Sequence, residues 1–335
     1  VFEGEYAMMN TLDLSVDHLF FELFHHPWLL RSVCDQFIDG YSYRDTLARP
    51  GSRTRRERKG ESILDPLKLA SFVDAPSQRG LPGGISFCHD MGVQGLYSLP
   101  GTSSYERSRL TGCFSYMSAE QLCNFVLCAV SYALVSGDEA WLAKHRRLLI
   151  ECHQSMLNRD DPDPARRDGL VGLDSERCGG GWEITTYDSL DPSLGQARAS
   201  LYLAVKYWAA WLGLQRCFEL LGEQSCASES ADAALRVARS VPAKADAESG
   251  ALPALLDGSC ASLILPAVEG LVFPWFWQLG AALDRRGAHA PLLDALERHL
   301  RAALSSGACL TSEGGWRLSS SSNNTWQSKV VICQV

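Results

Sequence analysis

The sequence predicts an all-α fold, and three observations carry that prediction. Apolar residues recur at helical spacing through most of the 335 residues. No sustained alternation of strand and helix patterns, which a parallel α/β sheet requires, runs along the chain. Between the helical stretches lie short connections rich in glycine and proline, which end helices. With 46% hydrophobic and 21% charged residues the composition suits a packed interior and not disorder. The length allows one large domain or two ordinary ones.

In chain order, the first helix follows the polar opening VFEGEYAMMNTLDLSVDHLFFEL. Residues 118–135 read as the second secure helix, with Ser118 and Gln121 in a capping-box spacing ahead of an apolar run. A helix is expected from about Glu139 to Met156, and a long one from about Leu194 to Leu221. Shorter helices fit 229–239, 271–284 and 291–304. The connections at 82–92, 159–169 and 172–188 hold a disproportionate share of the Asp, Glu, His and Tyr. Helices forming a scaffold with polar loops gathered at one end is a common way to build an active site.

Charge and composition remove several function classes. Thirty-one basic against 39 acidic residues give a formal charge of −8, against the basic balance of a general nucleic-acid binder. The longest apolar run, Leu122 to Val135, falls short of the roughly 18 residues of a membrane span and contains Asn124. Twelve cysteines are scattered without a CxxC pair, which disfavours structural zinc, and Cys123, Cys128 and Cys217 sit in apolar helical stretches as small hydrophobes. A reducing cytoplasm is the expected compartment. The P-loop, GxGxxG, GxSxG and HExxH signatures are absent from the sequence. The adjacent His25 and His26 cannot face one metal from a helix, and His18 adds little. The arginine-dense run at 49–61 reads either as a patch for an anionic partner or as a solvated surface loop. Asn323 opens a three-residue glycosylation sequon, too short a match to carry weight.

The chemistry concentrates in three places. The opening segment packs Glu3, Glu5, Asn10, Asp13 and Asp17 into fifteen residues. Helix-start preference explains some of these but not two glutamates beside Tyr6 and Asn10. In the third connection Glu183, Thr185, Thr186, Tyr187, Asp188 and Asp191 follow Gly179, Gly180 and Gly181, whose backbone freedom permits tight turns into a cleft. His89 and Asp90 sit in a glycine-flanked loop, where neutral hydrogen bonding to a hydroxyl pair suits them better than a metal. Two carboxylates far apart in sequence, each on a polar loop beside aromatics, fit glycoside hydrolysis. Nine tryptophans supply rings that stack on sugar faces.

These segments resemble the β-xylosidases of glycoside hydrolase family 52, and more distantly the family 116 β-glucosidases of the same clan. The resemblance runs in collinear order through EGEYAMMNTLDLSVDHLFFEL (3–23), PGGISFCHDMGV (82–93), CFSYMSAEQLCNFVLC (113–128), NRDDPDPARRDGLVGLDSER (158–177), EITTYDSLDPSLGQAR (183–198), PAVEGLVFPWF (266–276) and GGWRLSSSSNNTWQSK (314–329). It implies an (α/α)6 toroid as catalytic domain over 1–335, incomplete at both ends, with a charged insertion at 49–81. It also implies a retaining exo-β-xylosidase acting on xylo-oligosaccharides, with no cofactor and no metal. By motif, Glu3 corresponds to the nucleophile and Asp188 to the general acid/base. Asp13, His89, Asp90, Thr186 and Tyr187 correspond to substrate-binding positions. Glu5 rivals Glu3, and Glu183 rivals Asp188 less seriously. The resemblance further implies no nucleic-acid or membrane partner, and it admits a homodimer for the intact protein. A β-glucosidase-like relative and a non-catalytic carbohydrate-binding fragment are the alternatives. The family's N-terminal β-sandwich has no counterpart here, and Trp182 stands where a small residue is expected. The chain therefore reads as a fragment of an enzyme, and the isolated stretch is expected to fold weakly.

Overall fold

The computed structural model describes residues 2–3, 7–51, 76–107, 117–178, 183–186, 197–305 and 307–321. It divides into two compact units: Val1–Arg167 with Gly172–Pro192, and Asp168–Val171 with Ser193–Val335. Helices dominate both, as the sequence predicts, but the first also carries two small sheets.

In the first unit the order is β1 (Phe2–Glu3), β2 (Met8–Met9), α1 (Leu12–His25), α2 (Pro27–Gly40), β3 (Ser42–Arg49), β4 (Gln78–Phe87), β5 (Gly92–Val93), β6 (Leu96–Tyr97), α3 (Ser104–Arg107), α4 (Ser118–Ser136), α5 (Glu139–Lys144), α6 (Arg146–Asp160) and β7 (Asp174–Ser175). One sheet has the order β1-β2-β5-β6 and the other β4-β3-β7. At the centre lies α4, packed against α1, α2, α6 and β4. Residues 118–133 of this helix are all buried. Although α4 is long and apolar enough to cross a membrane, 89% of its most apolar stretch is covered inside the unit. The Phe125 ring stacks on Phe87 of β4 with centroids 3.7 Å apart.

The β3–β4 hairpin corrects the all-α expectation. Residues 82–87, read from sequence as part of a glycine- and proline-rich connection, form six of the ten residues of a strand. Pro82 and the two glycines hide the strand pattern, and the ladder is irregular there, shifting register between Asp45 and Thr46. Gly84 explains itself by packing. Its φ is +124°, and a Cβ there would lie 2.1 Å from Ser155 Oγ of α6, so only glycine lets strand and helix approach this closely. Arg49 pairs with Gln78 at the far end of the hairpin. Most of the expected 49–81 insertion, 52–75, lies outside the described residues.

The second unit is built on α7 (Leu201–Leu221), α8 (Gln224–Ser240), a short α9 (Val272–Phe276) and α10 (Ala290–Ser305). Its core is the α7–α8 pair, with the 3₁₀ segment Leu265–Leu271 laid along α7. The helix expected at 271–284 is broken into α9 and a 3₁₀ turn at Gly280–Leu283. Likewise the helix expected from Glu139 to Met156 is two helices hinged at His145. The described cysteines are thiols, and burial pushes Cys217 up to about 12.

Candidate active site

Four of the sequence-predicted residues converge within the first unit. The chain enters α1 through two residues in the left-handed region, Ala7 (φ 51°) and Asn10 (φ 50°). Thr11 then returns to extended backbone, and Leu12 N–H donates to the carbonyl of His89 at 3.0 Å. That bond fixes the first turn of α1 against the segment that follows β4. Asp13 thus stands at a helix N-terminus, where the macrodipole favours a negative charge, and it is only 4% exposed.

His89 and Asp90 are placed by the backbone around them. Asp90 is fully buried, and its Oδ1 accepts from the amides of Gly92 (2.9 Å) and Ser104 (2.8 Å). The other oxygen, Oδ2, lies 3.0 Å from His89 Nδ1. An ionised Asp90 held by two amides calls for a proton on Nδ1, which turns Nε2 the other way. Nε2 then lies 3.7 Å from Asp13 Oδ1, beyond direct hydrogen-bond length. A ligand hydroxyl reaching this pair has an imidazole nitrogen and a carboxylate oxygen side by side. The edge of Tyr105 meets the imidazole at 5.7 Å between centroids.

Thr186 closes the cluster from the third connection. Its hydroxyl is 3.2 Å from Asp13 Oδ2 and 3.2 Å from Glu120 Oε1, and its amide donates to Glu120 Oε2 at 2.8 Å. A hydroxyl carries one proton, so Thr186 donates to one of the two carboxylates at a time. Glu120, fully buried in the first turn of α4, escapes sequence reasoning. Its signal is a carboxylate leading an otherwise apolar helix.

Glu183, weighed as a rival acid, has a different place. Its carboxylate accepts from Ser118 Oγ, from the amide of Ala119 at 3.2 Å and from the amide of Ser175 at 3.0 Å. The capping box expected between Ser118 and Gln121 is therefore not formed: Ser118 gives its hydroxyl to Glu183, and no side chain of the local sequence caps α4. Burial is the main cause that pushes the Glu183 carboxyl up to about 7.

For the remaining predicted residues the placement is partial. Glu3 lies in β1, with its backbone opposite Met8 of β2. Tyr187, Asp188 and the rival Glu5 lie outside the described residues. His25 and His26 sit at the α1–α2 corner beside the exposed Phe24 and Trp28 rather than in the cluster. Among the described residues, no group of three or more His, Cys, Asp or Glu is arranged to hold a metal ion.

Comparison with known proteins agrees with the motifs. The model of glycosyl hydrolase family 52 matches residues 1–132. A β-xylosidase of Geobacillus stearothermophilus is 45% identical over 332 residues, covering 99% of this chain and 43% of that protein. A second β-xylosidase of the same organism is 40% identical over 228 residues, 68% of this chain and 32% of that protein. The chain thus spans less than half the length of these relatives. Among solved structures, a GH78 family rhamnosidase of Bacillus sp. GL1 aligns with a TM-score of 0.37 at 16% identity, over 64% of this chain and 26% of that one. The chain thus resembles glycosyl hydrolase family 52 through its first 132 residues and two β-xylosidases over most of its length.

Proposed function

We propose that the complete protein is a glycoside hydrolase, a retaining exo-acting β-D-xylosidase that releases xylose from xylo-oligosaccharides in the cytoplasm. The observation that carries this reading is the convergence of Asp13, His89, Asp90 and Thr186. Three segments far apart in the sequence bring to one cluster the residues that the family motifs match to sugar-binding positions. The names of the relatives supply xylose as the sugar. On this reading residues 1–335 belong to one (α/α)6 catalytic domain, and 49–81 is an insertion in it.

Glu3 is then the nucleophile and Asp188 the general acid/base. Glu3, ionised, attacks the anomeric carbon while Asp188 protonates the leaving oxygen, giving a covalent glycosyl-enzyme that water hydrolyses. In retaining enzymes the two carboxyl groups stand about 5–5.5 Å apart, and this proximity holds the proton on the acid. Once Glu3 is esterified its charge is gone, the acid's pKa falls, and Asp188 acts as base towards water. Asp13, His89, Asp90, Thr186 and Tyr187 are on this reading the substrate-binding residues, and Asp90 and Thr186 also orient the pair of His89 and Asp13.

The test is covalent trapping. Incubating the complete protein with an activated 2-fluoro-β-xyloside should add one fluoroxylosyl group, mapped to the peptide containing Glu3. A label on Glu5 would move the nucleophile by two residues. No label on folded protein that hydrolyses aryl xylosides would argue against a retaining mechanism. Preferential turnover of the matching aryl glucoside would reassign the sugar.

A further inference from the structure

Two carboxylates cross between the same pair of segments. Glu183 reaches from the connection to the start of α4, accepting from Ser118 Oγ and Ala119 N–H. Glu120 reaches back from α4 to the connection, accepting from Thr186 N–H and sharing the Thr186 hydroxyl with Asp13. Neither bridge resembles a surface ion pair, since Glu120 is fully buried and Glu183 is 1% exposed. A third bond, from Ser175 N–H to Glu183, ties in β7. An isolated helix cap satisfies only its own helix end. This arrangement also spends a buried carboxylate on a second chain segment, which by covalent linkage carries Asp188 two residues beyond Thr186.

We infer that Glu183 is a positioning residue for the general acid: with Glu120 it clasps residues 183–186 to the N-terminus of α4 and so sets where Asp188 stands. The inference rests on the xylosidase reading and on Asp188 as its acid. Glu183 Oε1 accepts two of the three bonds and Oε2 the third. A glutamine can keep the two on one oxygen, but its NH2 then faces the Ala119 N–H, whereas alanine loses all three. The chemistry supplies a readout that mere loss of folded protein does not move. Protonation matters for a poor leaving group and hardly at all for a good one, so a misplaced acid slows one substrate selectively.

The experiment compares kcat/KM for phenyl and 2,4-dinitrophenyl β-xylosides in the complete protein and its E183A, E183Q, S118A and D188N variants. D188N should fall by about 100-fold or more on the phenyl substrate and far less on the dinitrophenyl one. E183A should show the same split at smaller scale, about 10–100-fold against about 3-fold or less, with E183Q between it and wild type. Where E183A does not fold, E183Q and S118A carry the measurement, since each retains two of the three bonds and should still show a split. Equal losses on both substrates, or no loss, while D188N splits them, would overturn the positioning role. A D188N variant without the split overturns the assignment of the acid, and the clasp's role falls with it. A wild-type protein inactive on both xylosides overturns the xylosidase reading itself.

Discussion

At the scale of single residues, the site is a set of short polar contacts whose geometry is set by backbone amides. Asp90 shows the principle: it is fully buried, takes two amides on one oxygen and orients His89 with the other. On this basis Asp90→Asn should leave a buried donor facing donors, at a cost of about 1–3 kcal/mol. It should also free the imidazole to rotate, lowering kcat/KM on an aryl xyloside more than it lowers the amount of folded protein. Circular dichroism and steady-state rates on one preparation check both. Gly84→Ala is the complementary case, remote from chemistry. The Cβ has Ser155 Oγ at 2.1 Å and a φ of +124° to contend with. Strain and overpacking together should lower stability by about 2–4 kcal/mol, read as a shift in the urea midpoint. His89, Asp90, Asp13 and Thr186 are legible through the family motifs they sit in, three of them in polar connections and Asp13 in the first turn of α1. Glu120 was hidden because an acid at the start of a helix has an ordinary explanation in the macrodipole.

At the scale of elements, the first unit is tied together by a buried ion pair that no local pattern announces. Arg159 of α6 is fully buried, and its guanidinium lies 2.7 Å from Asp45 of β3, which also accepts from Ser175 of β7 at 2.6 Å. Truncating one partner strands a buried charge, so Arg159→Met should cost about 3–5 kcal/mol. The double variant Arg159→Met with Asp45→Leu should recover part of that loss, which denaturant unfolding of the three proteins would measure. The helices were legible where apolar periodicity ran unbroken, as in α4 and α10, and α8 proved longer than its pattern. They are not legible where two periodic stretches abut, as at His145, or where one apolar stretch breaks, as 271–284 does between α9 and the 3₁₀ turn at Gly280–Leu283. The β3–β4 hairpin stayed hidden because Pro82, Gly83 and Gly84 are turn residues by composition. Here a close approach to α6 overrides that preference.

For the molecule as a whole, buried titratable groups give stability opposing dependences on pH. Burial lowers His153 to about 4, and His299, held between Leu252 N–H and the Ile264 carbonyl, is lowered as well. Below its ordinary value near 6.5 such a histidine takes a proton in the unfolded chain and refuses it in the folded one, so stability falls as the solution is acidified towards 4. Glu183 runs the other way. Its folded pKa is raised from 4.5 to about 7, so the stability it contributes is present below 4.5 and is lost as pH rises towards 7. Over the shared window the two slopes offset. Glu183→Gln removes one of them, so the stability of that variant relative to wild type should rise by about 1.4 kcal/mol per pH unit between about 4.5 and 7. Urea unfolding of both proteins at pH 5 and pH 6.5 tests this, and a difference that does not change with pH would count against it.

The pairing of Arg49 with Gln78 has a consequence for how this protein can vary. The Ser77 amide also donates to the Arg49 carbonyl at 2.9 Å, so the chain leaves the sheet and re-enters it on the same rung. With both ends of 50–77 already fixed side by side, the hairpin is indifferent to what joins them beyond the entropy of closure, and doubling a loop costs only about 0.6 kcal/mol. His89 and Asp90 follow the opposite end of β4, a strand's length from that junction. The junction is thus a socket: relatives can differ there in length and charge without disturbing the cluster of Asp13, His89, Asp90 and Thr186, and a reporter domain could be spliced in with the geometry of that cluster left alone.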